Sequence, residues 1–432
     1  MSSFKKKIRK NLTNVAKENV LFRGIIRKVL NAYRFLRFKI ETIGTKVDDK
    51  MVIFSCFNGE SYTCSPKAIY EYMLKDDRFK DYTFIWAFKN IKKYKKILNV
   101  TEDGNTIIVK RGAKKFRKYL AKSKYWVFNY KLDDCLKPKK NQVFLQCWHG
   151  TPLKRLGCDL EHFDNVLNTI DGMKKRYKIE AEKFSYFISP SKYASEKFIS
   201  AWNLKEIGKE NIIIEKGYPR NDFLFNYTEQ DVETIKKKIL GYYYLEYEKQ
   251  VKKKKIILYA PTYRANQHET GVGYTYKEEV DFEKMRKELG EDYIILFRPH
   301  YFIANQFDFG KYDGFVYDVS QIDDINELYI ISDILITDYS SVFFDYANLK
   351  RPMIFYMFDL EHYRDESNGF YIDVEEELPG RIIRTDDDLI TEIKRVSNEF
   401  EYDEKYKMFN DKYNYLDDGQ ASKRVIDEVI KF

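Results

Sequence analysis

The sequence predicts an α/β protein of two doubly wound domains facing a cleft, preceded by a basic amphipathic helix. Three observations lead there. From residue 51 onward short apolar runs alternate with helical stretches, the rhythm of parallel sheets with helices on both faces. There are about twelve such runs, more than one ordinary sheet holds. Polar motifs follow many of them, and in open α/β sheets the carboxyl ends of the strands form the binding crevice.

The expected strands run, in order, over Met51–Phe57, Thr83–Phe88, Thr106–Lys110, Tyr125–Asn129, Gln142–Cys147 and Tyr186–Ser189. A second set covers Ile212–Lys216, Lys255–Ala260, Tyr293–Phe297, Phe315–Tyr317, Asp333–Thr337 and Met353–Phe355. The boundary falls near 226–254, a helical, Lys- and Tyr-rich stretch, which divides the chain into 1–47, 48–235 and 236–432.

The charge is placed unevenly. Residues 1–47 hold 13 Lys or Arg against two acids, and the rest hold 63 against 65, so the net +9 belongs to the arm. Within the arm Phe22, Ile25, Ile26, Val29, Leu30, Tyr33 and Leu36 recur at steps of three and four, one apolar stripe of a helix. Arg23, Arg27, Lys28 and Arg34 fall mostly off the stripe. This pattern fits an anchor on an anionic membrane surface, or a helix docked on the protein's own core with its charges in water. Basic charge alone is weak evidence for nucleic acid, which is not expected as a partner.

Composition excludes several classes. With 44% hydrophobic residues in 432 the chain has material for real cores, which excludes global disorder. Only 19 Gly and 9 Pro exclude collagen-like and linker-like chains. Five Cys, an odd number with no Cys-x-x-Cys, argue against a disulfide framework and a structural zinc site, and fit a reducing, cytoplasmic setting. Neither an apolar run of spanning length nor a secretory leader is evident. Gly-x-Gly-x-x-Gly, Walker and Gly-x-Ser-x-Gly motifs are absent, against nicotinamide enzymes, P-loop ATPases and serine hydrolases. No metal-ligand spacing occurs, and no metal or cofactor is expected.

Three motifs could carry chemistry. In Cys147-Trp148-His149-Gly150-Thr151-Pro152 a strand delivers an imidazole to its carboxyl end, where it could take a proton near neutral pH or serve as a turn histidine. In Phe297-Arg298-Pro299-His300 a strand ends in a guanidinium fork and a second imidazole, suited to phosphate oxygens or to a surface turn. In Thr337-Asp338-Tyr339-Ser340-Ser341-Val342 a strand passes through a polar turn into a helix, which offers either free amides and hydroxyls to a phosphate or ordinary N-capping. Weaker signals are Gly217–Asp222 with Arg220, Ala260–Arg264 with Arg264, and Arg351-Pro352. The acidic run Glu375–Glu377 reads as a solvated loop.

In this order the motifs resemble the CDP-glycerol glycerophosphotransferases that build wall teichoic acid. The matching segments are Trp148–Pro152, Ile188–Ser191, Gly217–Asp222, Tyr259–Thr262, Arg298–His300, Thr337–Ser341 and Arg351-Pro352, over residues 140–380. The resemblance implies a GT-B architecture of two Rossmann-like domains with the active site between them. It implies transfer of glycerol phosphate from CDP-glycerol to a hydroxyl of a lipid-linked teichoic acid precursor, with release of CMP, at the cytoplasmic face of the membrane as a peripheral protein. His149 would then be the base, and Arg298, His300, Ser340 and Ser341 would hold the diphosphate. Thr337, Asp338, Arg220, Arg264, Asp345, Gly150 and Thr151 would line the cleft. The alternatives left open are CDP-ribitol as donor, a GT-B glycosyltransferase using a nucleotide sugar, a nucleotide-sugar epimerase, and a non-catalytic membrane-surface binding protein. Glycerol against ribitol, and primase against polymerase, stay open.

Overall fold

A computed structural model of the chain describes residues 20–98, 104–161, 169–241, 253–262, 268–269, 273–274, 280–299, 309–361, 363 and 369–431. Two parallel sheets form its centre. The first has seven strands: β1 (Asp48–Ser55), β2 (Thr83–Phe88), β3 (Thr106–Lys110), β4 (Ser123–Phe128), β5 (Val143–Gln146), β6 (Tyr186–Ser189) and β7 (Ile213–Glu215). The second has six: β8 (Lys255–Ala260), β11 (Tyr293–Phe297), β12 (Val316–Asp318), β13 (Ile334–Thr337), β14 (Met353–Tyr356) and β15 (Arg381–Ile383). Between β8 and β11 lies a small antiparallel pair, β9 (His268–Glu269) and β10 (Gly273–Tyr274).

The spatial orders are β3-β2-β1-β4-β5-β6-β7 and β12-β11-β8-β13-β14-β15. Each sheet therefore reverses direction once, between β1 and β4 and between β8 and β13. Such switch points open a crevice at the carboxyl ends of the strands. The central strands are buried on both faces, so they read as near-continuous apolar runs rather than alternating ones; β11 is buried along its whole length. This is why the runs were visible in the sequence. The last edge strand, Arg381–Ile383, was not expected: it has three residues, one of them an exposed Arg.

The halves are tied in both directions. Helix Glu229–Leu240 leaves the first half with a Thr228–Asp231 capping box, buries Ile235 and Leu240, and stops before Gly241 at φ 53°. This helix falls within the helical, Lys- and Tyr-rich stretch expected over 226–254, of which residues 242–252 lie outside the described residues. At the other end, helix Ala421–Val429 returns to the first sheet, placing Val425, Ile426 and Val429 in one core with Val52, Phe54 and Trp86. Lys154 and Phe370 form an antiparallel bridge, with Tyr371 N–H donating to the Leu153 carbonyl at 2.8 Å.

Helix Val20–Thr42 sits at the edge of the first half. Phe38 is buried, and Glu41 accepts from the Arg117 guanidinium. Ile25, Val29, Leu30, Tyr33, Leu36 and Ile40 are exposed. The side chains of Phe22, Arg23 and Arg27 lie outside the described ones. The run Glu375–Glu377, read above as a solvated loop, is instead a helical turn, Val374–Glu377, in which Glu377 pairs with Lys412.

Candidate active site

The first switch point is built from strained turns. Past β1, Phe57 and Asn58 stand at φ 43° and 58°; Cys64 at 63° opens the next helix; past β5, Trp148 stands at 47°. These are four of the six non-glycine residues with positive φ among those described. A left-handed non-glycine residue costs roughly 1–3 kcal/mol, and such residues gather where the fold must aim a side chain.

The side chain aimed here is His149. Its Nδ1 lies 2.9 Å from the main-chain oxygen of Asn129, the residue that follows β4. A carbonyl only accepts, so Nδ1 carries the proton and Nε2 is left as the acceptor. The ring is held by Trp148, 4.1 Å between centroids, and by Phe57 at 5.6 Å. Trp148 packs edge-on against Trp202 at 4.6 Å. Asn129 Oδ1 accepts from Phe57 N–H at 2.9 Å, so one residue joins the turns after β1 and β5. His149 keeps solvent-exposed surface, yet its surroundings are dense. Burial, with help from the Arg220 charge and against the pull of the Asn129 carbonyl, pushes its pKa down to about 4. The imidazole is neutral at pH 7, as a base requires.

The two halves meet at this histidine. Arg220, from the turn after β7, donates to the His149 carbonyl and, at 2.6 Å, to Asp345 Oδ1 on helix Val342–Tyr346 of the second half. Both side chains are buried. Burial opposes ionisation of both: it raises Asp345, whereas the carboxylate holds Arg220 above its usual value. Gly150 is needed for close approach. A Cβ there would stand 2.9 Å from Ser341 Oγ and 3.8 Å from Arg220 Nη2. Two further pairs join the halves: Lys67 with Asp324 and Lys93 with Asp323, both at 2.7 Å, and Tyr94 donates to Asp323 at 2.8 Å.

The structure thus brings together His149, Gly150, Arg220, Ser341 and Asp345. Ser340 is half-buried in the turn leading to Ser341, and Thr151 is buried beside Gly150 in the chain. Three other expected residues are hydrogen-bonded within the second half. Thr337 donates to the Ala260 carbonyl at 2.8 Å, and Asp338 accepts from Thr262 N–H at 2.7 Å, so both join β13 to the exit of β8. Arg298, expected as a phosphate fork, places Nη1 on the carbonyls of Val319 and Ile322, at 3.1 and 2.7 Å. Its burial lowers its pKa. Arg298 therefore braces the loop that carries Asp323 and Asp324. The helix after Ser341 runs over Val342–Tyr346, and its N-cap Ser341 makes no side-chain capping bond. His300 and Arg264 lie outside the described residues.

Sequence reasoning singled out neither Asn129 nor Asp417, and it took Asn221 only as part of the Gly217–Asp222 segment. Asn129 had a signal, a polar residue closing an apolar strand. Asp417 had none, since it reaches the site from the far end of the chain. Among the described residues no group of three His, Cys, Asp or Glu could hold a metal ion.

Comparison with known proteins agrees with this architecture. The chain is 38% identical over 409 residues to a teichoic acid poly(glycerol phosphate) polymerase of Bacillus spizizenii, covering 93% of this chain and 99% of that protein. It is 39% identical over 386 residues to the polymerase of that name from Bacillus subtilis, covering 89% of this chain and 49% of the relative. The chain thus spans about half the length of one relative and nearly all of the other. A solved structure of the wall teichoic acid polymerase TagF superposes with a TM-score of 0.80 at 35% identity, covering 94% of this chain and 96% of that one. The two facing Rossmann-like sheets are a GT-B fold. Residues 36–431 match a single family, and the chain belongs to it: the CDP-glycerol:poly(glycerophosphate) glycerophosphotransferases.

Proposed function

We propose that the chain transfers glycerol phosphate from CDP-glycerol to a hydroxyl of a membrane lipid-linked teichoic acid precursor, releasing CMP. The observation that carries this is the His149–Asn129 contact, which leaves Nε2 of a neutral imidazole free to accept, on the loop whose His149 carbonyl is bonded by Arg220. Family membership and a TagF structure soaked with CDPG support the donor.

The acceptor oxygen attacks the phosphorus that carries glycerol. The new P–O bond forms as the bond to the CMP oxygen breaks, and the acceptor's proton passes to His149 Nε2. Negative charge grows on the departing CMP. Arg220, with the hydroxyls of Ser340 and Ser341, supplies donors at that point, and His300 and Arg264 are proposed to add theirs. Positioning and charge stabilisation dominate phosphoryl transfer, so the site needs no nucleophilic side chain.

The acceptor explains the arm. Helix Val20–Thr42 is anchored by Phe38 and Glu41 while Ile25, Val29, Tyr33 and Leu36 face outward. An apolar face with basic neighbours suits the headgroup region of an anionic bilayer, which would hold the enzyme peripherally at the cytoplasmic membrane face where a lipid-linked acceptor lies.

The test is CMP release from CDP-glycerol with a lipid-linked disaccharide acceptor and without it, with product masses read together. Acceptor-dependent release with glycerol phosphate added supports the assignment. Release with CDP-ribitol or a nucleotide sugar instead would overturn the donor.

A further inference from the structure

Behind the Arg220–Asp345 pair lies a second buried carboxylate that the reaction described above does not use. Asp417 stands in the segment leading to the last helix. Its Oδ1 accepts from Tyr218 N–H at 2.9 Å, and its Oδ2 accepts from Asn221 Nδ2 at 2.6 Å and Asn348 Nδ2 at 3.1 Å. The same Asn221 amide also donates to Asp345 Oδ1 at 3.1 Å. One amide group therefore bridges two carboxylates, and a single guanidinium, Arg220, faces them on the Asp345 side. Close packing locks the two segments. A Cβ on Gly217 would meet the Leu416 carbonyl at 2.6 Å and Asp417 Oδ1 at 3.1 Å.

Asn221 has committed its donor group, and its own Oδ1 is buried without a partner. An acceptor left unpaired beside a carboxyl group has one ready complement, that carboxyl's own proton. Rotation of the amide would let Oδ1 accept a hydroxyl from Asp417, at the expense of the bonds that Nδ2 now makes to both carboxylates.

We propose that Asp417 is a positioning residue for the transfer reaction: ionised, it orients Asn221 and through it Asp345 and Arg220 against the His149 loop, and protonation releases that arrangement. The proposal rests on the glycerophosphotransferase reading of the same cleft. Burial, with the Asp345 charge adding to it and the three donors opposing it, pushes Asp417 up to about 7. The groups facing it are the Tyr218 phenol and Asn221 from the turn after β7, Asp345 from the helix after β13 and Asn348 from the 3-10 turn Ala347–Leu349 that follows it, with Arg220 one step beyond. Arg424 on the last helix is engaged by Asp418. His149, near 4, is neutral across this range, and the donor's diphosphate diester stays ionised.

The experiment is the pH profile of kcat/KM for CDP-glycerol with the full chain and a lipid-linked acceptor. The wild type loses activity as pH falls through about 7. Asp417→Asn removes that limb and runs about tenfold slower at high pH, as a misplaced guanidinium predicts. Asn348→Ala deletes one donor to the carboxylate at a half-buried position. It keeps the high-pH plateau and moves the limb up by about half a unit to one unit, the worth of one hydrogen bond. A wild-type profile flat through this range, a limb retained in Asp417→Asn, or a limb unmoved in Asn348→Ala overturns the proposal. The protonated carboxyl stretch in infrared spectra is read in parallel. It appears in the wild type below the limb and is missing in Asp417→Asn, and its absence from the wild type contradicts the proposal without turnover. If CDP-glycerol is not consumed at all while the infrared difference is present, the donor assignment fails and the titration of Asp417 stands.

Discussion

The Nδ1 atom of His149 lies 2.9 Å from the main-chain oxygen of Asn129, at the exits of adjacent parallel strands. Two neighbouring strand ends thus settle which nitrogen of the only described histidine at the cleft is free to act. The partner is a backbone atom, so no side-chain substitution removes it directly, and the tautomer is a property of the fold.

That environment has a pH signature. With the imidazolium pushed down to about 4, the acidic limb owed to His149 in kcat/KM lies near 4 rather than near the ordinary value of 6.5. It is to be read in Asp417→Asn, where the limb near 7 is removed. The same shift bears on stability. A histidine whose folded pKa is depressed disfavours protonation in the native state, so its contribution is present above 6.5 and is lost as pH falls from there toward 4. Rapid pH-jump assays, short enough to precede unfolding, check the limb. A limb near 6.5 in that variant contradicts the environment described for His149.

Arg220 and Asp345 form the buried pair that spans the cleft. Asp345→Ala leaves a buried guanidinium without its counter-ion and is expected to cost about 3–5 kcal/mol of stability. A double substitution, Arg220→Met with Asp345→Leu, recovers most of that loss, because burying a pair earns little net stability. It does not recover transfer, since the cationic donors are gone. Chemical denaturation and CMP release, measured on the same samples, separate the two effects.

Gly150 and Ser341 test the closeness of the halves. Gly150→Ala introduces a methyl group 2.9 Å from Ser341 Oγ, tighter than a carbon–oxygen contact allows. The expected result is about a tenfold loss in kcat/KM for the donor, in keeping with a displaced catalytic group. Adding Ser341→Ala to Gly150→Ala removes the clashing oxygen and restores part of the loss. If Ser341→Ala makes Gly150→Ala worse in proportion to its own effect, the contact is not what limits Gly150.

The exposed stripe of helix Val20–Thr42 predicts vesicle binding. Replacing Ile25, Val29, Tyr33 and Leu36 with Gln leaves Phe38 and the Glu41–Arg117 pair in place, so the fold is expected to persist. Sedimentation with anionic vesicles should fall sharply, while a water-soluble acceptor is still used. Undiminished sedimentation contradicts a membrane role for this face.

Much of the architecture was legible because parallel strands covered on both faces cannot hide. Thr83–Phe88, Tyr186–Ser189, Lys255–Ala260 and Tyr293–Phe297 run in the structure over the residues their apolar runs delimit. The exposed edge strand Arg381–Ile383 lacks such a run. In the site, legibility followed distance along the chain. His149 and Gly150 share a strand exit, and Arg220 and Asp345 each stand near one. What the sequence did not disclose is pairing across the cleft: Asp323 and Asp324 with Lys93 and Lys67, and Asp417 with Asn221. Those contacts depend on how two domains face each other, which no local pattern encodes. The same holds for Arg298. Its position after β11 was readable, but its use on the carbonyls of Val319 and Ile322 was not.

The most direct test of the central claim compares acceptor-dependent CMP release by the wild type and by His149→Ala, with CDP-glycerol affinity measured by calorimetry on both. The account predicts that the variant loses transfer by about 10²–10⁴-fold, the range for a removed general base, while donor affinity and thermal unfolding stay close to wild type. Near wild-type release by His149→Ala would contradict it.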